Sequence, residues 1–288
     1  MEVLCPMERY CDLHTHSVYS DGTYTPKQLL QEAHQRHLTA IALTDHNTVA
    51  GLPDFLEAAK EYPVEAVPGV EFSTDYNGTE LHILALYLKP EYFAQVMELM
   101  QQYHRLKDQS NIDLVAALNR AGYNISYEKI KSATPEGQVN RALIAAELMR
   151  KGYAESIQAA FKQLLSPKCG YYTPPARPTP QQMLGIIRDL GAVSVLAHPY
   201  LNLKQEPLHA FLQQAVRWGL QGMEVHYSTY DDATTAAAME MADEFGLLHS
   251  GGSDFHGTNK PDIQLGVGRG GLQIPSSLAQ GLKDVLKK

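Results

Sequence analysis

The stretch CDLHTHSVYSDGTYTP, residues 11–26, runs from a short apolar segment into a His-x-His pair, then a turn, then a proline placed to open a helix. Residues two apart on an extended strand project to the same face, so His14 and His16 can point at one object. A strand that exits in two imidazoles and feeds at once into a helix is the first half of a β-loop-α unit. An isolated His-x-His pair near a turn carries no function by itself. The reading therefore depends on whether the rest of the chain repeats the arrangement.

It does. Short apolar, β-branched runs predict strands at Cys11–His14, Ala40–Thr44, Ala66–Phe72, Leu81–Leu88, Val193–Ala197, Gly222–His226 and Leu247–Gly251. Amphipathic stretches predict helices at Pro26–Gln35, Leu52–Glu61, Pro180–Leu190, Pro207–Trp218 and Asp231–Phe245. Pro26, Pro180 and Pro207 each sit where a first helical turn begins, a position that tolerates the missing N–H. Strands separated by helices imply βαβ units and a parallel sheet or barrel. The alternation breaks over residues 91–178, where Glu91–Ala121, Val139–Lys151 and Ala154–Leu165 are helical and a proline-rich SPKCGYYTPPARPTP closes the segment. The expected organisation is a barrel built from residues 1–90 and 179–288, with a helical insertion domain at 91–178, to which the resemblance described below gives a substrate-binding role.

Composition narrows the class. The chain has 288 residues, 44% hydrophobic and 19% charged, with a net charge of −8. That balance argues against a nucleic-acid coat, a duplex-DNA binder or an anionic-membrane binder. The N-terminus lacks the basic start and apolar run of a signal peptide, and no stretch reaches the roughly 18 apolar residues of a membrane span. Three cysteines without metal-type pair spacing indicate neither a disulfide framework nor a zinc knuckle. The expected location is the cytoplasm.

Six of the seven strands carry a histidine or carboxylate at or near an end: His14 and His16, His46, Glu71, His82, His198, then Asp254 and His256. Most lie at the C-terminal edge, where parallel barrels assemble active sites from different strands. His34, His37, His104 and His209 read as surface helix residues without a role. Asp21 sits in the turn after the first strand, either as a ligand or as a loop cap, and Asp45 reads as a partner orienting an imidazole. Imidazole and carboxylate without cysteine suit a catalytic centre for Mn, Fe or Zn. Nine candidates (His14, His16, Asp21, His46, Glu71, His82, His198, Asp254, His256) exceed one tetrahedral ion and suit two or three ions sharing a carboxylate. Such centres clamp a phosphate and generate a bridging hydroxide as nucleophile. Other chemistries fit less well. GVGRGG at 266–271 lacks a strand-turn-helix setting, Ser253 has no dedicated base, and no predicted strand offers a lysine for an amidohydrolase centre.

In order along the chain, DLHTHSVYSDG, ALTDHNT, VPGVEFS, LHIL, LAHP and GGSDFHG resemble the motifs of the PHP (polymerase and histidinol phosphatase) superfamily. The insertion resembles that of a stand-alone bacterial subgroup containing 3′,5′-nucleotide bisphosphate phosphatases and RNA 5′-end exonucleases. The resemblance implies an α/β fold, a distorted (β/α)7 barrel, and a metal-dependent phosphoesterase. It implies a first ion on His14, His16, Glu71 and Asp254, a second on Glu71, His82 and His198, and a third on Asp21, His46 and His256. Glu71, Asp254 and His198 would be catalytic. On the substrate side, the subgroup places an arginine at Arg141, a phosphate clamp or else a solvated helix residue. Lys168, Tyr171, Tyr172 and Arg177 lie in the return loop and could contact a second phosphate or a base. One departure is Tyr200, where relatives often carry Gly-Arg after His-Pro, which puts the second-phosphate grip in question. The implied reaction is removal of the 3′-phosphate from a nucleoside 3′,5′-bisphosphate such as pAp. The alternatives are 5′→3′ trimming of short RNA, or hydrolysis of histidinol phosphate or a cyclic phosphate. From a different class, a non-catalytic metal-binding module remains.

Overall fold

The computed structural model describes residues 9–132 and 139–287. Seven strands lie in one sheet in sequence order: β1 (Cys11–Asp12), β2 (Ala40–Leu43), β3 (Glu65–Tyr76), β4 (Thr79–Leu86), β5 (Val193–Leu196), β6 (Gly222–Tyr227) and β7 (Leu248–Gly252). The two ends of the sheet meet. Leu13 N donates to Gly251 O at 3.1 Å, Asp254 N donates to His14 O at 2.8 Å, and Thr15 bridges to Phe255 in parallel. The sheet is thus a nearly closed seven-stranded barrel.

Strands β1 to β3 run parallel, as do β5 to β7, but β4 is antiparallel to both of its neighbours. A strictly alternating pattern would have put a helix between β3 and β4. Only Asn77 and Gly78 separate them, at φ 54° and 83°, and two consecutive left-handed residues make the tight hairpin turn whose twist matches the strands. No helix fits in that space. This hairpin is what distorts the barrel.

The helices that follow the strands are α1 (Pro26–Gln35), α2 (Leu52–Ala58), α3 (Phe93–Arg120), α4 (Tyr127–Ser132), α5 (Arg141–Arg150), α6 (Ile157–Ala160), α7 (Pro180–Asp189), α8 (Pro199–Asn202), α9 (Gln205–Trp218), α10 (Asp232–Glu244) and α11 (Ser276–Val285). Helices α1 and α7 start the same way. Thr25 and Thr179 accept the amides of Gln28 and Gln182, whose side chains reach back to the cap amide, and a proline comes directly after each threonine. Their apolar stripes (Leu29, Leu30 and Ala33; Met183, Leu184 and Ile187) are buried. Helix α9 starts at Gln205, so Pro207 lies within its first turn.

By internal contacts the chain divides into Met1–Met97 with Pro178–Lys288, which holds the barrel, and Glu98–Arg177, which is helical. The division falls inside α3, because one unbroken helix runs through it. The helical unit has its own core, including Leu114, Leu118, Ile144, Leu148, Leu164 and Leu165. Cys11, Leu13, Ala42, Leu84, Val195 and Ile274 are among the residues of a core cluster in the barrel unit. Among the described residues, no helix is long and apolar enough to cross a membrane.

Candidate metal centre

His14 and His16 leave β1 with their side chains fully buried, while Thr15 between them turns away and its hydroxyl donates to Ala42 O at 2.6 Å. The remaining donors come from the other strands. His46 leaves β2, Glu71 lies in β3, His82 in β4, His198 leaves β5, and Asp254 and His256 leave β7. The β3–β4 register, which pairs Ser73 with His82 and Glu71 with Leu84, places Glu71 and His82 diagonally on one face.

Glu71, fully buried, is the hub. Its Oε1 lies 2.8 Å from His82 Nδ1 and 3.0 Å from His198 Nε2. Its Oε2 lies 2.9 Å from His46 Nδ1, 3.2 Å from His14 Nε2 and 3.3 Å from His16 Nε2. Asp254 Oδ1 stands 3.2 Å from His16 Nε2 and 3.4 Å from His256 Nδ1. Asp21, at the exposed rim, reaches His256 at 3.2 Å and His46 at 3.8 Å. The nine residues form four overlapping donor groups: His16, Asp21, His46 and His256; His14, Glu71 and His198; His14, His16 and Asp254; His46, Glu71 and His82. His14, His16, His46 and Glu71 each belong to two of these groups.

The donors fit divalent ions on three counts. Glu71 Oε2 and His16 Nδ1 are buried and make no hydrogen bond. His14 Nε2 and His16 Nε2 face each other at 3.1 Å, an arrangement that two lone pairs tolerate only around a proton or a cation. All the donors are imidazole nitrogens or carboxylate oxygens, the set that Mn, Fe and Zn accept.

Electrostatics report the same crowding. Burial would raise Glu71, but His46, His82 and His14 outweigh it and hold the carboxyl well below its usual range. Burial opposes the charge on Asp254 and Asp21 too; His16 overrides it for the first and His256 for the second. Burial would lower His82, yet Glu71 and Glu80 push it up to about 10. In the metal-free protein the Glu71–His82 pair therefore stabilises fully below the unfolded imidazole value near 6.5. That contribution fades as pH climbs towards about 10. Divalent ions compete with the same protons, so their affinity grows over that range. Thermal melts with and without Mn²⁺ across neutral to mildly alkaline pH should show the metal-free midpoint falling and the metal-induced rise growing. A rise independent of pH would contradict this coupling.

One residue beside the centre departs from its sequence reading. Asp45 orients no imidazole. It accepts from Ser17 N at 2.7 Å, Ser17 Oγ at 2.6 Å and Ser20 Oγ at 2.5 Å, and so holds the loop that carries Asp21. Arg141, Lys168, Tyr172 and Arg177 belong to the helical unit, and the nine candidate ligands to the barrel unit. Arg141 is the first residue of α5, capped by Asn140. Its guanidinium stacks 4.3 Å above the Tyr172 ring and lies 5.5 Å from that of Phe161. Tyr172 is buried in that unit's core, where its ring packs under the guanidinium. Lys168 is exposed; Tyr171 and Arg177 are half-buried. Tyr200 packs edge-on against Tyr230 at 5.9 Å, and its amide donates to the Tyr230 hydroxyl.

Four residues at the centre escape the sequence reading. Glu224, fully buried, touches His14 and His198. The Tyr227 hydroxyl and Lys260 Nζ each donate to Asp254 Oδ2 at 2.7 Å. Asp12 accepts from Ser253 N at 2.8 Å, from Ser253 Oγ at 2.5 Å and from Gly266 N at 2.8 Å. A lone glutamate in the apolar GMEVHY was the available signal for Glu224; Tyr227 and Lys260 had none.

Comparison with known proteins agrees with this geometry. A family model, the PHP domain, matches residues 12–168. The 5′-3′ exoribonuclease of Haemophilus influenzae is 30% identical over 87% of this chain and 91% of its own length. The 3′,5′-nucleoside bisphosphate phosphatase of Chromobacterium violaceum is 27% identical over 88% of this chain and 90% of its own. A crystal structure from Bifidobacterium adolescentis, assigned to the metal-dependent phosphoesterases, superposes with a TM-score of 0.77 at 25% identity, covering 95% of each chain.

Proposed function

Because the chain belongs to the PHP domain family, a family of metal-dependent phosphoesterases, we propose that it removes the 3′-phosphate from nucleoside 3′,5′-bisphosphates such as pAp. The observation that carries the reading is the hub of Glu71 among five imidazoles at the barrel mouth. Divalent ions bound there would neutralise the phosphate and lower the pKa of coordinated water towards 7. The chain's own part is to hold them. Each Glu71 oxygen faces imidazoles of both donor groups that Glu71 joins, Asp254 turns Oδ1 to His14 and His16, and His198 pairs with Glu71 Oε1. Asp21 and His46, with the buried His16 and His256, form the group that reaches solvent. Buried walls exclude bulk water, which strengthens every charge interaction with the phosphate. Asp254 Oδ2 is already taken by Tyr227 and Lys260, so it stands as a fixed anion and not as a proton donor.

Trimming of short RNA from its 5′ end is the second reading, favoured by the exoribonuclease relative. Both substrates present a phosphoester on the 3′-oxygen. The test is phosphate release with Mn²⁺ from pAp against AMP and histidinol phosphate, with nucleotide release from 5′-phosphorylated RNA in parallel. Preferential turnover of pAp supports the first reading. Turnover of RNA alone moves the function to the nuclease, and no turnover of any of them with metal bound overturns both.

A further inference from the structure

Strand β6 supplies none of the nine candidate ligands, yet it touches three of them. Glu224 Oε1 accepts from His14 Nδ1 at 2.9 Å, and Oε2 accepts the backbone amide of His198 at 2.6 Å. Tyr227 donates to Asp254 Oδ2 at 2.7 Å. Residues three apart on a regular strand point to opposite faces. Here the pairing with β7 slips between Glu224 and His226, a bulge that re-aims the residues beyond it. The slip turns both Glu224 and Tyr227 to the inside.

The ligands so held need holding. His198 has φ 30° and Asp254 has φ 55°, left-handed backbone that side-chain-bearing residues rarely adopt and that survives only where neighbours over-determine it. Glu224 Oε2 grips His198 at its strained residue, and Tyr227 grips the Asp254 carboxylate. For His14 the grip is chemical: acceptance of the Nδ1 proton leaves Nε2 bare, and Nε2 is the atom facing Glu71 and His16.

We propose that β6 is the positioning strand of the metal centre, with Glu224 and Tyr227 fixing His14, His198 and Asp254 through the bulge. The proposal rests on the centre's holding divalent ions but not on the identity of the substrate.

The test uses the intact chain, stripped of metal, with Co²⁺ as the probe. Calorimetric titration gives its affinity, the visible spectrum reports its geometry, and melts of the metal-free protein report the fold. Glutamine at 224 cannot satisfy both partners, since its amide group would face either the His14 N–H or the His198 N–H. Glu224→Gln should weaken Co²⁺ binding about 10- to 100-fold and change the spectrum. Tyr227→Phe, which removes one oxygen, should weaken it by up to about tenfold, and it decides the matter if the glutamine variant does not fold. A lower melting midpoint with affinity and spectrum unchanged would make both residues merely structural and overturn the proposal. Because Co²⁺ alone is read, failure of the pAp assay leaves this result standing.

Discussion

The Glu71→Gln variant should retain no divalent ion through gel filtration and should lose at least about a thousandfold in phosphate release, or about 4 kcal/mol of barrier. The substitution keeps the shape of the side chain and removes its charge. Both carboxylate oxygens are in use, Oε1 between His82 and His198 and Oε2 among His46, His14 and His16. An amide replaces one of them with an N–H donor aimed at nitrogens whose lone pairs should face an ion. It also leaves several imidazoles without the anion that makes their clustering tolerable. Metal content by mass spectrometry and turnover on the best substrate form the check. Near-normal metal content would show that Glu71 is not the hub.

Gly252→Ala should be nearly as damaging from the other side of the barrel. A Cβ at residue 252 would stand 2.1 Å from His14 Cβ and 2.7 Å from His14 N. Neither atom is the end of a flexible chain, so strand β1 itself must shift, and with it the first imidazole. Overpacking of this kind costs about 1–3 kcal/mol, and here the displaced residue is a candidate ligand. The measurement is a pair of melts, metal-free and with Mn²⁺. The metal-free midpoint should fall and the metal-induced rise should shrink. Gly185→Ala is the control: the position lies in α7 with nothing within 4 Å, so alanine there should add up to about 1 kcal/mol. Equal behaviour of the two variants would show that the approach of β7 to His14 has no consequence.

Much of this site was legible because strands end where their chemistry begins. A run such as VSVLAHP announces a buried strand and its exit ligand together, and Thr-Pro pairs at 25–26 and 179–180 announce the helices they open. The direction of β4 was less visible, although Asn77-Gly78 is a strong hairpin signal, because its second half, Ile83 to Leu86, is buried throughout and hides the two-residue alternation. Glu224 and Tyr227 were hidden by arithmetic. Their spacing of three places them on opposite faces unless a bulge intervenes, and nothing in GMEVHY marks one. Arg141 was open to two readings. A guanidinium at a helix start suits a phosphate and an aromatic ring equally, and only packing reveals the Tyr172 ring beneath it.

The β3–β4 hairpin has a temporal meaning as well as a spatial one. Glu71 and His82 are 11 positions apart, whereas His14 meets Glu224 across 210 and Asp12 meets Ser253 across 241. Short loops close first, so two of the nine donors come together while the chain is still largely open. The last to arrive are those along the β1–β7 seam, which waits for both ends of the barrel. An ion caught early by the hairpin would be weakly held until that seam shut, and its tightest grip would belong to the finished protein alone. Supply of metal thereby becomes a force on the final step of folding, drawing the first and last strands together by mass action.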